Sequence, residues 1–193
     1  MGEINYIYAP QSSVTEQFKC RVPMKGTRQL FVVNGGVQGT NTPLSIKLER
    51  GQVMEELLQI ISVRSSDSPL EISYSSNFHF GENSQGKILL CSHTFSLDEF
   101  KTIEDVNVRL EAGANVEMVL MQNEHNGASH KSVFNVEMER GASIKLTFLT
   151  LHGGNLDNTV VVNMNGEGGD VDLSGLYLVD GNQFVDNKVY MNH

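Results

Sequence analysis

Tryptophan is absent from the 193 residues, and proline occurs only at Pro10, Pro23, Pro43 and Pro69. A chain with no proline after residue 69 can offer every backbone N–H there to a strand ladder. Cysteine is limited to Cys20 and Cys91, too few for a disulfide framework, which points to a reducing, cytoplasmic setting. Basic residues are scarce: 14 Lys and Arg stand against 23 Asp and Glu, a formal net charge of −9. Over residues 153–193, Asp157, Glu167, Asp170, Asp172, Asp180 and Asp186 face Lys188 alone. Nucleic acid and anionic membrane surfaces need a basic footprint, so neither is expected as a partner. Apolar runs such as Met118–Met121 fall far short of the ~20 residues of a membrane helix. The opening Met1–Tyr6 has neither the basic nor the apolar part of a secretory signal.

What is present is a core's worth of apolar residues, 39%, with 18 glycines and much asparagine. A chain of this length buries a core without staples. An alternating apolar triplet followed by a glycine turn returns along it. The copies begin at Ile46-Lys-Leu48-Glu-Arg-Gly51, Phe78-His-Phe80, Val108-Arg-Leu110-Glu-Ala-Gly113, Val136-Glu-Met138-Glu-Arg-Gly141 and Val162-Asn-Met164. Their first positions, 46, 78, 108, 136 and 162, give steps of 32, 30, 28 and 26. Each unit carries two period-2 segments, the mark of half-buried strands, and the period is that of a stacked array. The expected fold is therefore all-β: a flattened parallel β-helix with rungs of 26–32 residues. A β-sandwich has no need of one triplet at one spacing. Residues 1–43 read as a lead-in of short strands and loops, and 44–193 as the β-helix core. Gln52–Ile61 has apolar residues at helical spacing, but its place in the repeat favours a strand. A short helical turn is considered near Leu97–Phe100.

The segments Leu151-His-Gly-Gly154-Asn-Leu, Val160–Met164, Gly166-Glu-Gly168 and Asp172-Leu-Ser-Gly-Leu-Tyr-Leu178 resemble the core of the SufB/SufD family. So do Gly181-Asn-Gln183-Phe-Val185-Asp186-Asn187, the closing His193, and Leu90-Cys91-Ser92-His93-Thr94 upstream. The likeness runs from about residue 44 to the end and is densest over 151–193. Phe184 and Lys188 stand where family members usually have His. The resemblance implies a right-handed parallel β-helix and a non-enzymatic scaffold in iron–sulfur cluster assembly. It implies a SufB-like paralogue and an ABC-type, SufC-like ATPase as partners. The first half lacks the longer cysteine-bearing segments of SufB, which favours the SufD branch. The family's further rungs, cluster-related Cys and His, and ATPase-docking helices have no counterpart within residues 1–193, so the chain reads as a truncated front part. The competing readings are a carbohydrate-active β-helix enzyme and a structural solenoid with no cluster role.

Candidate sites are few. Cys91 and His93 would share one strand face and suit iron or zinc, but a site needs about four ligands. Packing is the better account, and the chain is expected to hold no metal or cofactor of its own; a cluster belongs to a complete assembly complex. His125 and His130 flank Asn126-Gly127 and read as solvated corner residues; His79 and His152 read as surface. Asp170 and Asp172 share a face, yet lack the further oxygen ligands and base a lyase requires. No Gly-Lys-Ser/Thr phosphate loop and no G-x-S-x-G elbow occurs, so no catalytic residue is assigned. Met118, Met121, Met138 and Met164 fall at inward repeat positions as core filling. Finally, Val189-Tyr-Met191 restarts the triplet 27 residues after Val162, and Val189 and Met191 are expected to form a homodimer interface through the final rung.

Overall fold

The structure, a computed structural model, describes residues 26–94 and 99–193. Thirteen strands and no helix occur among them: β1 Thr27–Val33, β2 Gly36–Val37, β3 Ser45–Leu48, β4 Leu57–Arg64, β5 Leu70–Phe80, β6 Gln85–Thr94 and β7 Phe100–Leu110. There follow β8 Asn115–Asn123, β9 Ala128–Met138, β10 Ser143–His152, β11 Asn155–Met164, β12 Asp170–Tyr177 and β13 Phe184–Asn192. Strands alternate between two sheets. Sheet A runs β12-β10-β8-β6-β4-β1-β2 and sheet B runs β13-β11-β9-β7-β5-β3. Among the described residues every strand pairing is parallel except β1 with β2, beside which Gly36 and Pro43 form an isolated antiparallel bridge. This is a parallel β-solenoid. Gln52–Ile61 does not form a helix, since β4 takes its second half; the Leu97–Phe100 turn falls largely outside the described residues, and Phe100 opens β7. β1, within the stretch read as lead-in, pairs along its length with β4 and so extends sheet A.

The repeat triplets become one ladder: Ile46 pairs Phe78, Phe78 pairs Val108, Val108 pairs Val136, and Val136 pairs Val162. The last step is longer than expected. Val162 pairs with Met191, and Val189 sits opposite Val160. The slip is two residues, so the strand face is unchanged. The added length lies in the segment between β12 and β13, where turn residues set the spacing and the triplet pattern does not.

Between the sheets, Leu58, Ile88, Met118 and Leu146 stack from sheet A against Phe78, Val108, Val136 and Val162 from sheet B, all buried. Met138 joins this core and Met164 packs against it; Met121, expected inward, instead lies half-buried on the outer face of β8. Each rung leaves sheet B through a left-handed residue: Gly51, Gly113, Gly141 and Gly168, with φ of 68°, 69°, 67° and 73°. In the second rung Asn83 takes that place at φ 56°, its short polar side chain tolerating what most residues do not. On the outer face of sheet B, Asn107 donates to Asn77 at 3.2 Å and Asn135 donates to Asn107 at 3.3 Å, a ladder that accounts for part of the asparagine content.

A buried polar lane as candidate functional site

β4, β6 and β8 keep their inward alternation beyond the apolar part, but the residues change. After Ile60 come Ser62 and Arg64; after Leu90, Ser92 and Thr94; after Leu120, Gln122 and Glu124. Strand register stacks Ser62, Ser92, Gln122 and Thr150 in one column. Facing them on sheet B are Tyr74, Glu104, Ser132, Asn158 and Asn187, also in register. The interior is thus divided lengthwise. One side is apolar, and the other is a lane of polar side chains.

The first part of the lane is charged. Arg64 is wholly buried; its Nη2 donates to the Tyr74 hydroxyl at 2.6 Å and to Glu104 Oε2 at 3.3 Å. Arg64 Nη1 lies 3.6 Å from Glu124 Oε1. His130 bridges the two acids, with Nδ1 2.6 Å from Glu124 Oε1 and Nε2 3.3 Å from Glu104 Oε2. Ser76 donates to Glu104 at 3.1 Å and Thr94 to Glu124 at 3.0 Å. Burial alone would push both carboxyls up, but the His130 and Arg64 partners outweigh it: Glu104 is lowered, and Glu124 falls to about 2. Burial first and the Arg64 charge oppose a proton on His130, yet the charge of Glu124 and then the pairing with Glu104 hold its pKa above the ordinary value. With His130 protonated, two cations meet two anions and the group is neutral.

The second part is built from amides and hydroxyls. Gln122 and Asn158 exchange hydrogen bonds of 2.9 and 3.0 Å; Thr150 donates to Gln122 at 2.8 Å and Ser132 to Asn158 at 2.7 Å. Asn158 passes the chain on to Asn187 at 2.9 Å. A cavity of about 10 Å³ lies among Glu104, Gln122, His130, Ser132 and their apolar neighbours. That is the room of a single water. The lane as it stands admits no sugar ring and no nucleotide.

His130 therefore overturns the solvated-corner reading: it is 2% exposed at the centre of the lane, because it continues the inward column of β9. His125 does lie at the corner, and its Nδ1 accepts from the Gly127 N–H at 3.1 Å. His152 is half-buried, bonded to the Glu124 backbone oxygen at 2.6 Å, and His79 lies on the outer face, 2.8 Å from Glu111. Cys91 and His93 share one face of β6 as expected, but it is the face away from the lane, and both are buried there. Burial first, then the Arg64 charge, lowers His93 to about 4. Among the described residues no three His, Cys, Asp or Glu side chains converge as a metal site. Asp170 and Asp172 are exposed on β12. Arg64, Glu104, Glu124, Gln122 and Asn158 escaped the sequence reading. Their signal was the inward phase of each strand continued past its last apolar residue.

The fold is thus a two-sheet parallel β-solenoid with an apolar half and a hydrogen-bonded polar half to its interior. Residues 68–193 match the model of the SUF system FeS cluster assembly, SufBD core domain, and the chain belongs to that family. No curated protein and no solved structure was found to match. The family is one of iron–sulfur cluster assembly, in which its members work with partner Suf proteins.

Proposed function

We propose that this chain is a non-enzymatic scaffold component of cytoplasmic iron–sulfur cluster assembly, on the SufD side of the family, and that it holds no cluster or metal by itself. The observation that carries the reading is the SufBD core match over 68–193. The character of the lane supports it. Its described side chains are Arg, Tyr, Glu, His, Ser, Thr, Asn and Gln, with no thiol, and Cys91 faces the other way. A polar interior without an inward sulfur suits a structural partner better than the subunit that carries sulfur chemistry. The partners are an ABC-type, SufC-like ATPase and a SufB-like paralogue. Contact through the last rung is part of the proposal. Among the described residues β13 has a neighbour on one side only, and Val189 and Met191, side by side on its inward face, are 46% and 41% exposed. A second copy of the chain is proposed to cover them as a homodimer.

The test is capture of purified ATPase and purified paralogue by the tagged chain, with metal analysis of the chain alone. Retention of both proteins and substoichiometric iron and zinc are expected. Retention of neither, or about one metal ion per chain that is lost in Cys91→Ala, overturns the reading. Light scattering over a dilution series addresses the homodimer, with Val189→Lys expected to shift the equilibrium to monomer. A monomer at every concentration ends that part.

A further inference from the structure

Three Asn-Gly pairs occur: Asn34-Gly35, Asn126-Gly127 and Asn165-Gly166. With no Cβ on the glycine, its backbone nitrogen is the least hindered nucleophile available to a preceding asparagine side chain. The fold treats the three pairs differently. Asn34 is clamped on both sides of its amide, Nδ2 donating to the Ser65 oxygen at 2.9 Å and Oδ1 accepting from the Ser65 N–H at 3.0 Å. Asn165 has its Nδ2 bound to Glu137 Oε2 at 2.6 Å. In both, the nitrogen that would leave is tied down.

Asn126 is arranged the other way round. Its Nδ2 has no hydrogen-bond partner among the described residues, and both it and Gly127 are exposed at the corner between β8 and β9. Its Oδ1 accepts from Gln183 Nε2 at 2.8 Å, and Gln183 is itself held by the Asp180 N–H on Oε1 at 3.0 Å. The Gly127 N–H points at His125 Nδ1, 3.1 Å away. A base on the nucleophile's proton, a donor on the oxygen that becomes negative, and a leaving group in water are the parts of an acyl-transfer site.

We propose that Asn126-Gly127 is a self-modifying site, where the folded protein promotes its own deamidation through His125 and Gln183. The Gly127 nitrogen bonds to Asn126 Cγ as its proton passes to His125 Nδ1. The negative charge rests on Oδ1 against Gln183. The Cγ–Nδ2 bond then breaks, Nδ2 takes a proton and leaves as ammonia, and solvent water opens the five-membered imide to aspartate or isoaspartate. Nothing is oxidised or reduced. His125 is suited to accept, since burial first and the neighbouring His152 second lower its pKa and keep the imidazole neutral. The product puts a carboxylate beside Gln183, at the corner on which Gly154 closes.

Peptide mapping by mass spectrometry of folded protein, aged at neutral pH, reads all three sites at once. Asn126 is expected to convert on the order of tenfold or more faster than Asn34 and Asn165, with the advantage lost in the denatured chain. His125→Ala and Gln183→Met are expected to slow Asn126 and leave Asn34 and Asn165 unchanged. The idea fails if Asn126 is no faster than the others in the folded protein, if its lead survives denaturation, or if neither variant slows it. Should His125→Ala not fold, Gln183→Met and the folded-to-denatured comparison decide the matter.

Discussion

Arg64 shows what one side chain can be asked to do in a buried interior. It is the fixed cation among Glu104, Glu124 and a titrating His130, and its removal leaves two buried carboxylates with one partner. Arg64→Met is expected to cost about 3–5 kcal/mol in urea unfolding, since breaking a buried charge group strands the rest. The same group sets a pH dependence, together with Tyr74 and with His93 on the far face of β6. His130 has a folded pKa above the ordinary 6.5, so its contribution is full below pH 6.5 and lost as pH rises through the elevated value. His93 runs oppositely: at about 4 it contributes fully above 6.5 and less as pH falls toward 4. Glu104 and Glu124 contribute above pH 4.5 and fade below it, Glu124 toward about 2. Thermal melts across pH should show stability greatest near 6.5, with His130→Gln flattening the alkaline limb and His93→Gln the acid one. None of this was legible residue by residue. His130 beside Asn126-Gly127 has the local look of a loop, and only the register of β9 against β7 turns it inward.

Among the elements, turns and strands were legible to different degrees. The apolar triplets fixed strand identity and register from Ile46 to Val162, because a period-2 pattern with one buried face tolerates no single-residue slip. Turns followed glycine, so Asn83, doing the work of Gly51 and Gly113, passed unnoticed, and the longer step to Met191 was misjudged by two residues. Glycine positions are not equivalent, and a pair of substitutions separates them. A Cβ on Gly154 would collide with the Asn126 and Ala128 backbone oxygens, so Gly154→Ala is expected to cost about 2–3 kcal/mol. At Gly175, inside β12, the nearest atom would be Phe148 O at 3.8 Å, an ordinary contact. Gly175→Ala should stabilise by about 0.4–1 kcal/mol through the unfolded chain. Paired urea melts of the two variants check both signs.

For the whole molecule, stacking makes protection a matter of position. Among the described residues β6 to β11 each have a parallel neighbour on both sides, whereas β12 and β13 have one, and β12 and β13 carry Leu176, Tyr177, Phe184, Val189, Tyr190 and Met191 exposed. Hydrogen exchange of the Val189→Lys chain, held monomeric, should therefore find amides of β7, β8 and β9 slowest, with β12 and β13 roughly a hundredfold or more faster. Uniform protection along the chain would contradict it. The family, matched over 68–193, was legible because turns and apolar columns recur along the chain. The lane was not, because its members come from separate rungs and meet only in three dimensions.

The lane also removes a freedom that stacked folds usually keep. Judged by the apolar columns, one rung is as good as another, and copying or deleting a rung would leave Leu over Ile and Val over Phe. Arg64, Glu104 and His130 come from β4, β7 and β9, and Glu124 from the residue just after β8, so the charge balance is written across successive rungs. Excising residues 85–114 would rejoin the apolar stack but take Glu104 from between Arg64 and His130. Each rung thus has an address. The molecule can vary on its outer faces, but the rungs from β4 to β9 cannot be shuffled, copied or deleted without unbalancing its centre.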